Sequence, residues 1–466
     1  MIDLSNVKHV HCIGIGGIGL SAVAEVLFNE GYAVTGSDMH ESEITARLIE
    51  KGIPVFLGHR ERNIGDADLV VYSSAVASAN PELAEAEARG VPVVSRAQIL
   101  GQLMERKKYS VAVAGTHGKT TTTSMIALVL KDSDRDPTIL VGGNLSEIGG
   151  NVRLGESEYF VTEACEYMDS FLNLAARYAV ILNIDSDHLD YFDDIYHIAR
   201  SFKRFARLVP EDGVVVAFDA NPFVSNVLRD LDRRIITFGF HDHCDYSARD
   251  IEFGEAGMPA FSIVHGGETI ARIELIVPGE HNISNALAAF ACCHDMGVGA
   301  SDIVRTLESF KGTQRRFDVL GKTMGGIRIV DDYAHHPTEI AATIRAARNI
   351  PCKSLWILFQ PHTYTRTLAL QDEFAEALSL ADKIVMAEIY AAREKNIHRI
   401  SSKTIVSEIK ERDPKKEAYY FNEFEQIAGF VLNNAEEGDL IITMGAGDIN
   451  RVGEMILRID RDSYMK

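Results

Sequence analysis

Residues 111–123 read VAVAGTHGKTTTT. Four apolar residues end at Ala114, and Gly115-Thr116-His117-Gly118-Lys119-Thr120-Thr121 follows. An apolar run feeding a glycine-bearing turn and then a helix is the repeating unit of a parallel α/β sheet. The glycines let the turn close tightly. A lysine and hydroxyls at a helix start cradle nucleotide phosphates, and Thr120 can ligate the accompanying Mg²⁺. The full phosphate-loop spacing asks for glycine at position 113, where this chain has Val113, so the loop is a shortened variant. A chance lysine in a turn does not explain strand, G-x-x-G-K-T-T and helix together. The stretch predicts binding of ATP or GTP.

Upstream, a β-branched run over 7–15 leads into Gly14-Ile-Gly16-Gly17-Ile-Gly19 and a helix-prone segment over 21–28. A second strand over 33–37 ends in Asp38, 19 residues after Gly19. The glycines bring backbone amides close to a diphosphate at a helix N-terminus, and the acid sits where a ribose-binding carboxylate belongs. Taken alone this block reads as a nicotinamide dehydrogenase, which leaves the lysine loop unexplained. A charged segment, Glu105-Arg-Lys-Lys108, separates this unit from the strand that feeds the lysine loop.

Downstream, strands over 159–162 and 179–183 run into Glu163-Ala-Cys-Glu166 and into Asp185-Ser-Asp187-His188-Leu-Asp190. Carboxyl ends of strands are where α/β sheets bind ligands. The stretch 241–279 reads as short antiparallel strands, followed by a helix over 284–294 that HNISNA at 281–286 begins. Capping by Asn282 or Ser284 is the commoner reason for such residues. A third restart follows Arg315-Arg316. A strand over 327–330 ends in Asp331-Asp332-Tyr333-Ala-His335-His336-Pro337, and one over 355–359 ends in Gln360-Pro-His362-Thr-Tyr-Thr-Arg366-Thr367. Acids, imidazoles and arginine crowd these two strand ends.

The chain has 466 residues, and at roughly 150 residues per domain it is long enough for about three. The restarts place them at 1–107, 108–312 and 313–466. The formal net charge of −20 argues against nucleic-acid or anionic membrane partners. Six cysteines without C-x-x-C spacing make neither a disulfide framework nor a structural zinc site the expectation, and they fit a reducing cytosol. No signal peptide is read at the N-terminus, and no apolar run reaches the roughly 20 residues that span a bilayer.

Together these motifs resemble the Mur ligases of bacterial cell-wall synthesis. GTHGKTTTT at 115–123, EACE at 163–166, DHLD at 187–190, HNISNA at 281–286, DDYAHHPTE at 331–339 and FQPHTYTRT at 359–367 carry the resemblance in order. It implies an N-terminal Rossmann-like UDP-binding domain, a central P-loop ATPase-type α/β domain and a C-terminal Rossmann-like domain. The implied reaction is ATP + UDP-N-acetylmuramate + L-alanine → ADP + phosphate + UDP-N-acetylmuramoyl-L-alanine, in the bacterial cytoplasm. The first glycine loop then takes the diphosphate of the UDP-sugar.

By the same resemblance, Gly115 to Thr121, Asn282, Arg316 and Asp331 hold ATP. Thr120, Glu163 and His188 hold Mg²⁺. Gly14, Gly16, Gly17, Gly19, Asp38, Ser73 and Ser170 contact the sugar nucleotide. Tyr333, His335, His362 and Arg366 line the alanine and acyl-phosphate site. Lys119, His188, His335 and Arg366 are the implied catalytic residues. Thr363 stands where the family block has an arginine, which shifts load to Arg366. Lys203 falls near the position of a carbamylated lysine in related ligases and reads here as a surface helix residue. A recycling ligase that attaches a preformed peptide shares the histidine-rich block, with phenylalanine expected in place of Tyr333.

Overall fold

The computed structural model describes residues 4–464 except 190, 255, 256 and 393, so Asp190 of the DHLD block lies outside the described residues. Three sheets follow one another along the chain. The first has five parallel strands in the spatial order Val55–Leu57, Ala33–Asp38, His9–Ile13, Leu69–Tyr72, Val93–Ser95. The chain starts at the centre, builds one side and then crosses to the other. The glycine loop leaves His9–Ile13 at that switch point, where ligands of such sheets sit.

The second sheet has ten strands. Its middle is parallel, with Tyr109–Ala114 between Tyr178–Ile181 and Tyr159–Ala164. Ala114 pairs with both Ile181 and Ala164, so the lysine loop, the EACE block and the run from Asn183 emerge along one edge. On the far side of Tyr178–Ile181 lie Val214–Phe218, Arg234–Gly239 and Tyr246–Phe253, and then the antiparallel strands Pro259–His265 and Glu268–Glu274. Beyond Tyr159–Ala164 come Thr138–Leu145 and Gly150–Arg153. The helices Lys119–Asp132 and Glu280–Asp295 pack on this sheet and on each other. Both bury most of their circumference, and the alanines at 286, 288, 289 and 291 permit that close approach.

The third sheet runs Asp318–Lys322, Arg328–Asp332, Leu440–Met444, Leu355–Phe359, Lys383–Met386, Glu417–Tyr420, with only the first pair antiparallel. Met444 pairs with both Asp332 and Phe359. The two histidine-bearing blocks therefore leave the sheet side by side.

The structure differs from the expectations in local detail. The helix read as 284–294 starts at Glu280, after Gly279 at φ 101°, so His281 and Asn282 lie inside its first turn rather than capping it. Asn282 instead donates to the carbonyl of Pro278 at 2.8 Å. After the second histidine block the chain forms two helices, Tyr364–Ala369 and Gln371–Leu378, broken at Leu370. Among the described residues no helix is long and apolar enough to cross a membrane. All six cysteines are free thiols.

Candidate functional site

Lys119 opens its helix from Gly118, whose φ of 83° suits glycine. A Cβ at Gly118 would fall 2.6 Å from Asn285 Oδ1, so the tight turn and the packing of the two buried helices both require glycine there. The Lys119 ammonium donates to the carbonyls of Gly115 and Thr116 and to both Glu166 oxygens at 3.1 and 3.0 Å. Burial opposes the charge, but Glu166 outweighs it and raises the ammonium above its ordinary value. A fixed, partly buried cation thus stands at the mouth of the loop.

Glu163 lies three residues before Glu166, and its Oε1 accepts from the Gly142 amide at 2.6 Å. A Cβ at Gly142 would fall 2.8 Å from both Glu163 oxygens, and one at Gly143 would fall 3.2 Å from Thr120 Cγ2. Thr120 and Glu163 therefore border the same pair of glycines. A hydroxyl and a carboxylate are hard oxygen donors, a chemistry that fits Mg²⁺. His188 adopts φ 54°, its ring packs on Tyr167 at 4.7 Å, and its Nε2 lies 3.9 Å from both Glu166 Oε1 and Asp187 Oδ2.

The third sheet's two blocks reach across to these elements. Arg366 Nε and Nη2 donate to Asp187 Oδ1 at 3.1 and 2.8 Å, and Nη1 donates to His362 Nδ1 at 3.4 Å. Burial alone would raise the Asp187 pKa, but Arg366 with the nearby histidines holds it well below the usual carboxylate range. His335 is pinned by the Tyr333 carbonyl at 3.0 Å, while burial pushes its pKa down to about 4 and keeps the ring neutral. Burial likewise pushes His362 down to about 4. Tyr333 carries the guanidinium groups of Arg315 and Arg316 over its ring at 4.9 and 5.2 Å.

A cavity of about 480 Å³ lies between the central and third sheets. His117, Gly118, Phe223, Asn282, Arg316 and Asp332 are among its lining residues. Its size suits a small ligand. On its wall His117 Nε2 lies 3.2 Å from Asp185 Oδ2 and its Nδ1 3.2 Å from Glu339 Oε1. Burial disfavours the imidazolium, yet hydrogen bonding to these two acids raises His117 to about 9.

Asp331, expected at the nucleotide, does not reach this cavity. Its carboxylate is buried against Arg315 Nε at 2.9 Å and Thr443 Oγ1 at 2.7 Å. Strand alternation sends Asp331 and Asp332 to opposite faces, and it is Asp332 that lines the cavity. Burial pushes the Asp332 carboxyl up to about 6.

At the first sheet, Gly14 takes φ 79° and packs toward Ser73: a Cβ there would meet Ser73 Cβ at 3.3 Å and Val76 Cγ2 at 3.2 Å. Asp38 Oδ2 accepts from the Gly16 amide at 2.8 Å, which fixes the loop's shape. Gly17 precedes the helix Ile18–Asn29. A Cβ at Gly19 would meet Arg96 Nη1 at 2.9 Å. Asn151 ties this loop to the central sheet, donating to the Ile18 carbonyl at 3.1 Å and accepting from Arg47 Nη2 at 3.2 Å. Ser170 sits in the turn Tyr167–Asn173, just after the EACE block.

Sequence reasoning passed over Glu166, Asp185, Glu339 and Arg96. Glu166 stands in the quoted EACE block, and its spacing from Lys119 carries no sign of which of its two glutamates meets the lysine. Glu339 follows Pro337 by two residues, where a helix-start acid is the ordinary reading. Arg96 carries no local signal; only folding sets it against Gly19.

Three family models cover the chain: one described as Mur ligase family, catalytic domain, over 9–108, one as Mur ligase middle domain over 113–293, and one as Mur ligase, glutamate ligase domain, over 315–447. A UDP-N-acetylmuramate–L-alanine ligase of Acetivibrio thermocellus is 51% identical over 459 residues, 98% of this chain and 97% of its own. One from Alkaliphilus metalliredigens is 47% identical over 98% of both chains. The crystal structure of a UDP-N-acetylmuramate–alanine ligase from Thermotoga maritima superposes with a TM-score of 0.81 at 31% identity, covering 98% of this chain and all of that one. A murein peptide ligase from Psychrobacter arcticus superposes with a TM-score of 0.72 at 26% identity, covering 97% of this chain and 98% of its own. The chain belongs to the Mur ligase family.

Proposed function

We propose that this protein joins L-alanine to the carboxylate of UDP-N-acetylmuramate, with ATP converted to ADP and phosphate, in the bacterial cytoplasm. The observation that carries the reading is a convergence. Lys119 of the phosphate loop and Arg366 of the third sheet are both anchored on the short segments that carry Glu166 and Asp187. A phosphate-handling cation and an acceptor-side cation thus face one centre. The names and full-length similarity of the relatives support the same reaction.

A carboxylate resists attack by an amine because oxide is a poor leaving group. Transfer of the γ-phosphoryl group gives an acyl phosphate. The alanine amine then attacks the acyl carbon, phosphate leaves, and the amine's surplus proton passes to solvent. The protein's part is to position groups and neutralise charge. Lys119 and the loop from Gly115 to Thr121 hold the phosphates. Asn282 and Arg316 hold the rest of the nucleotide in the cavity, while Asp331 acts at one remove by fixing Arg315. Thr120, Glu163 and His188 hold Mg²⁺, which supplies charge neutralisation at the phosphates when bound.

His335 and His362, held neutral, and Arg366 with Tyr333 form the wall for the acyl group and alanine. The Gly14–Gly19 loop, Asp38, Ser73 and Ser170 take the UDP-sugar. In this assignment residues 1–107 bind the sugar nucleotide, 108–312 bind ATP, and 313–466 bring the amino acid. Phosphate release is the test, measured with UDP-N-acetylmuramate, ATP and Mg²⁺ against L-alanine, other amino acids and a preformed tripeptide. Release that depends on L-alanine is expected. Turnover with the tripeptide alone would overturn the assignment in favour of peptide recycling.

A further inference from the structure

Behind the wall of the cleft between the central and third sheets, the turn between the strands Arg234–Gly239 and Tyr246–Phe253 reads HDHCD over 241–245. It folds against Asp219, the residue after the strand Val214–Phe218. Asp219 Oδ2 lies 2.7 Å from His243 Nε2 and 3.6 Å from His241 Nδ1. The two imidazoles stack nearly parallel, 7° between planes and 5.3 Å between centroids. Cys244 beneath them is a buried free thiol. One donor atom each from Asp219, His243 and Cys244 lies within 4.8 Å of the others.

The backbone builds this cluster rather than merely allowing it. The Asp219 amide donates to the Phe238 carbonyl at 2.9 Å, and the Cys244 amide donates to the His241 carbonyl at 3.2 Å. Gly239 leaves room beside the thiol: a Cβ there would stand 3.3 Å from Cys244 Sγ. Metal–ligand bonds to oxygen, nitrogen and sulfur are about 2.0–2.3 Å, so donors roughly 4 Å apart can share one ion. Asp219, His243 and Cys244 are already grouped, and His241, exposed and 3.6 Å from Asp219 Oδ2, can supply the fourth donor by turning its side chain inward.

We propose that Asp219, His241, His243 and Cys244 form a binding site for a divalent transition metal, with Zn²⁺ the ion that the donor set fits. One carboxylate, two imidazoles and one thiolate suit a tetrahedral borderline-soft ion, and they do not suit Mg²⁺, which demands oxygen. On loading, the Cys244 S–H bond breaks, a sulfur–metal bond forms and the proton goes to solvent. No electron is transferred. C-x-x-C spacing gave no hint of this site because only one ligand is a cysteine, and Asp219 comes from a neighbouring strand. Phe218 and Phe238, which line the cleft cavity, flank the cluster in sequence. A bound ion therefore clips together the ends of two strands that form the cavity wall, without entering the reaction centre.

The test is titration of the metal-free, reduced, full-length protein with Co²⁺ and then Zn²⁺. Wild type should bind one equivalent of Co²⁺ with the intense visible bands of a four-coordinate ion and a near-ultraviolet thiolate-to-cobalt charge-transfer band, and Zn²⁺ should displace it. Co²⁺ on Thr120, Glu163 and His188 at the phosphate loop has no thiolate ligand and gives no such band. Cys244→Ser should abolish that band. The double variant His241→Gln/His243→Gln changes two well-exposed side chains, so it stays folded if Cys244→Ser does not. It should weaken Co²⁺ binding by at least about 10–100-fold, the cost of losing even an outer-sphere partner. The proposal is overturned by absence of stoichiometric Co²⁺ binding, by a charge-transfer band that survives Cys244→Ser, or by wild-type affinity in the double histidine variant.

Discussion

At the scale of single residues, Lys119 has two separable jobs. Under the proposed function it supplies a positive charge for phosphate, and in the structure it compensates Glu166, which is buried. Lys119→Ala should lower phosphate release at least about 10³-fold and also destabilise the fold by about 3 kcal/mol, because Glu166 is left unpaired. Lys119→Ala/Glu166→Gln should recover the stability in a denaturant titration and leave turnover lost. Equal stability of the single and double variants would contradict the pairing. Glu82 offers a second test, remote from the lysine. It is fully buried in the first domain and accepts from Ser37 Oγ at 2.5 Å, Asn63 Nδ2 at 2.6 Å and the Arg60 amide at 3.0 Å. Burial raises its pKa, but these bonds and His11 outweigh burial and hold it at about 2, against an ordinary 4.5. A depressed acid stabilises the fold above its unfolded pKa and loses that contribution as pH falls toward the folded value. At about 1.4 kcal/mol per pH unit the share is about 3 kcal/mol. Stability measured from pH 6 down to 3 should therefore fall more steeply for wild type than for Glu82→Gln, and parallel curves would refute the linkage. Residue-level legibility in the sequence was uneven for the same physical reason. The lysine loop is local and readable. Which of Asp331 and Asp332 faces the cleft depends on strand parity, and which of Glu163 and Glu166 meets Lys119 depends on how a turn closes.

At the scale of elements, strand-to-helix turns were legible because glycine, proline and apolar runs mark them locally. The glycine loop after His9–Ile13, the lysine loop after Tyr109–Ala114 and the two histidine blocks all stand at strand ends, as their sequences imply. Contacts between elements were not legible. Gly101 shows why. It lies in the helix Arg96–Glu105 and carries no turn, cap or motif signal. Yet a Cβ there would fall 1.8 Å from the Asn173 carbonyl oxygen, at the end of the turn Tyr167–Asn173. By helix propensity alone, Gly101→Ala should stabilise by about 1 kcal/mol. The backbone clash reverses the sign, and the helix must move away from the turn that carries Ser170. We expect a net loss of about 1–3 kcal/mol, read as a lowered midpoint in thermal or urea denaturation. A stability equal to or above wild type would show that the two elements do not meet so closely.

At the scale of the whole molecule, the three bodies are joined unequally. One continuous apolar core runs from Val10 and Leu27 of the first domain to Ala112, Phe171 and Phe205 of the second. The third domain has apolar clusters of its own. Its contacts with the second are largely polar: Arg366 on Asp187, His336 Nε2 donating to the Ser186 carbonyl at 2.8 Å, Thr338 Oγ1 donating to Asp185 at 2.6 Å, and Glu339 beside His117. An apolar seam resists separation, whereas polar contacts can be exchanged for water at small cost. We therefore expect the third domain, rather than the first, to move on nucleotide binding under the proposed function. The net charge of −20 sharpens the point, because anionic substrates must enter past an acidic surface toward a few fixed cations. Arg366 is a cation of the cleft and also ties the domains together, through Asp187 at 2.8 Å. Arg366→Ala leaves Asp187 buried and uncompensated at the interface, a cost of about 3–5 kcal/mol that opening the cleft to water relieves. Small-angle scattering without nucleotide should then give a larger radius of gyration than wild type, and limited proteolysis should cut faster near residues 309–317. A scattering curve identical to wild type would mean that this ion pair does not hold the third domain in place.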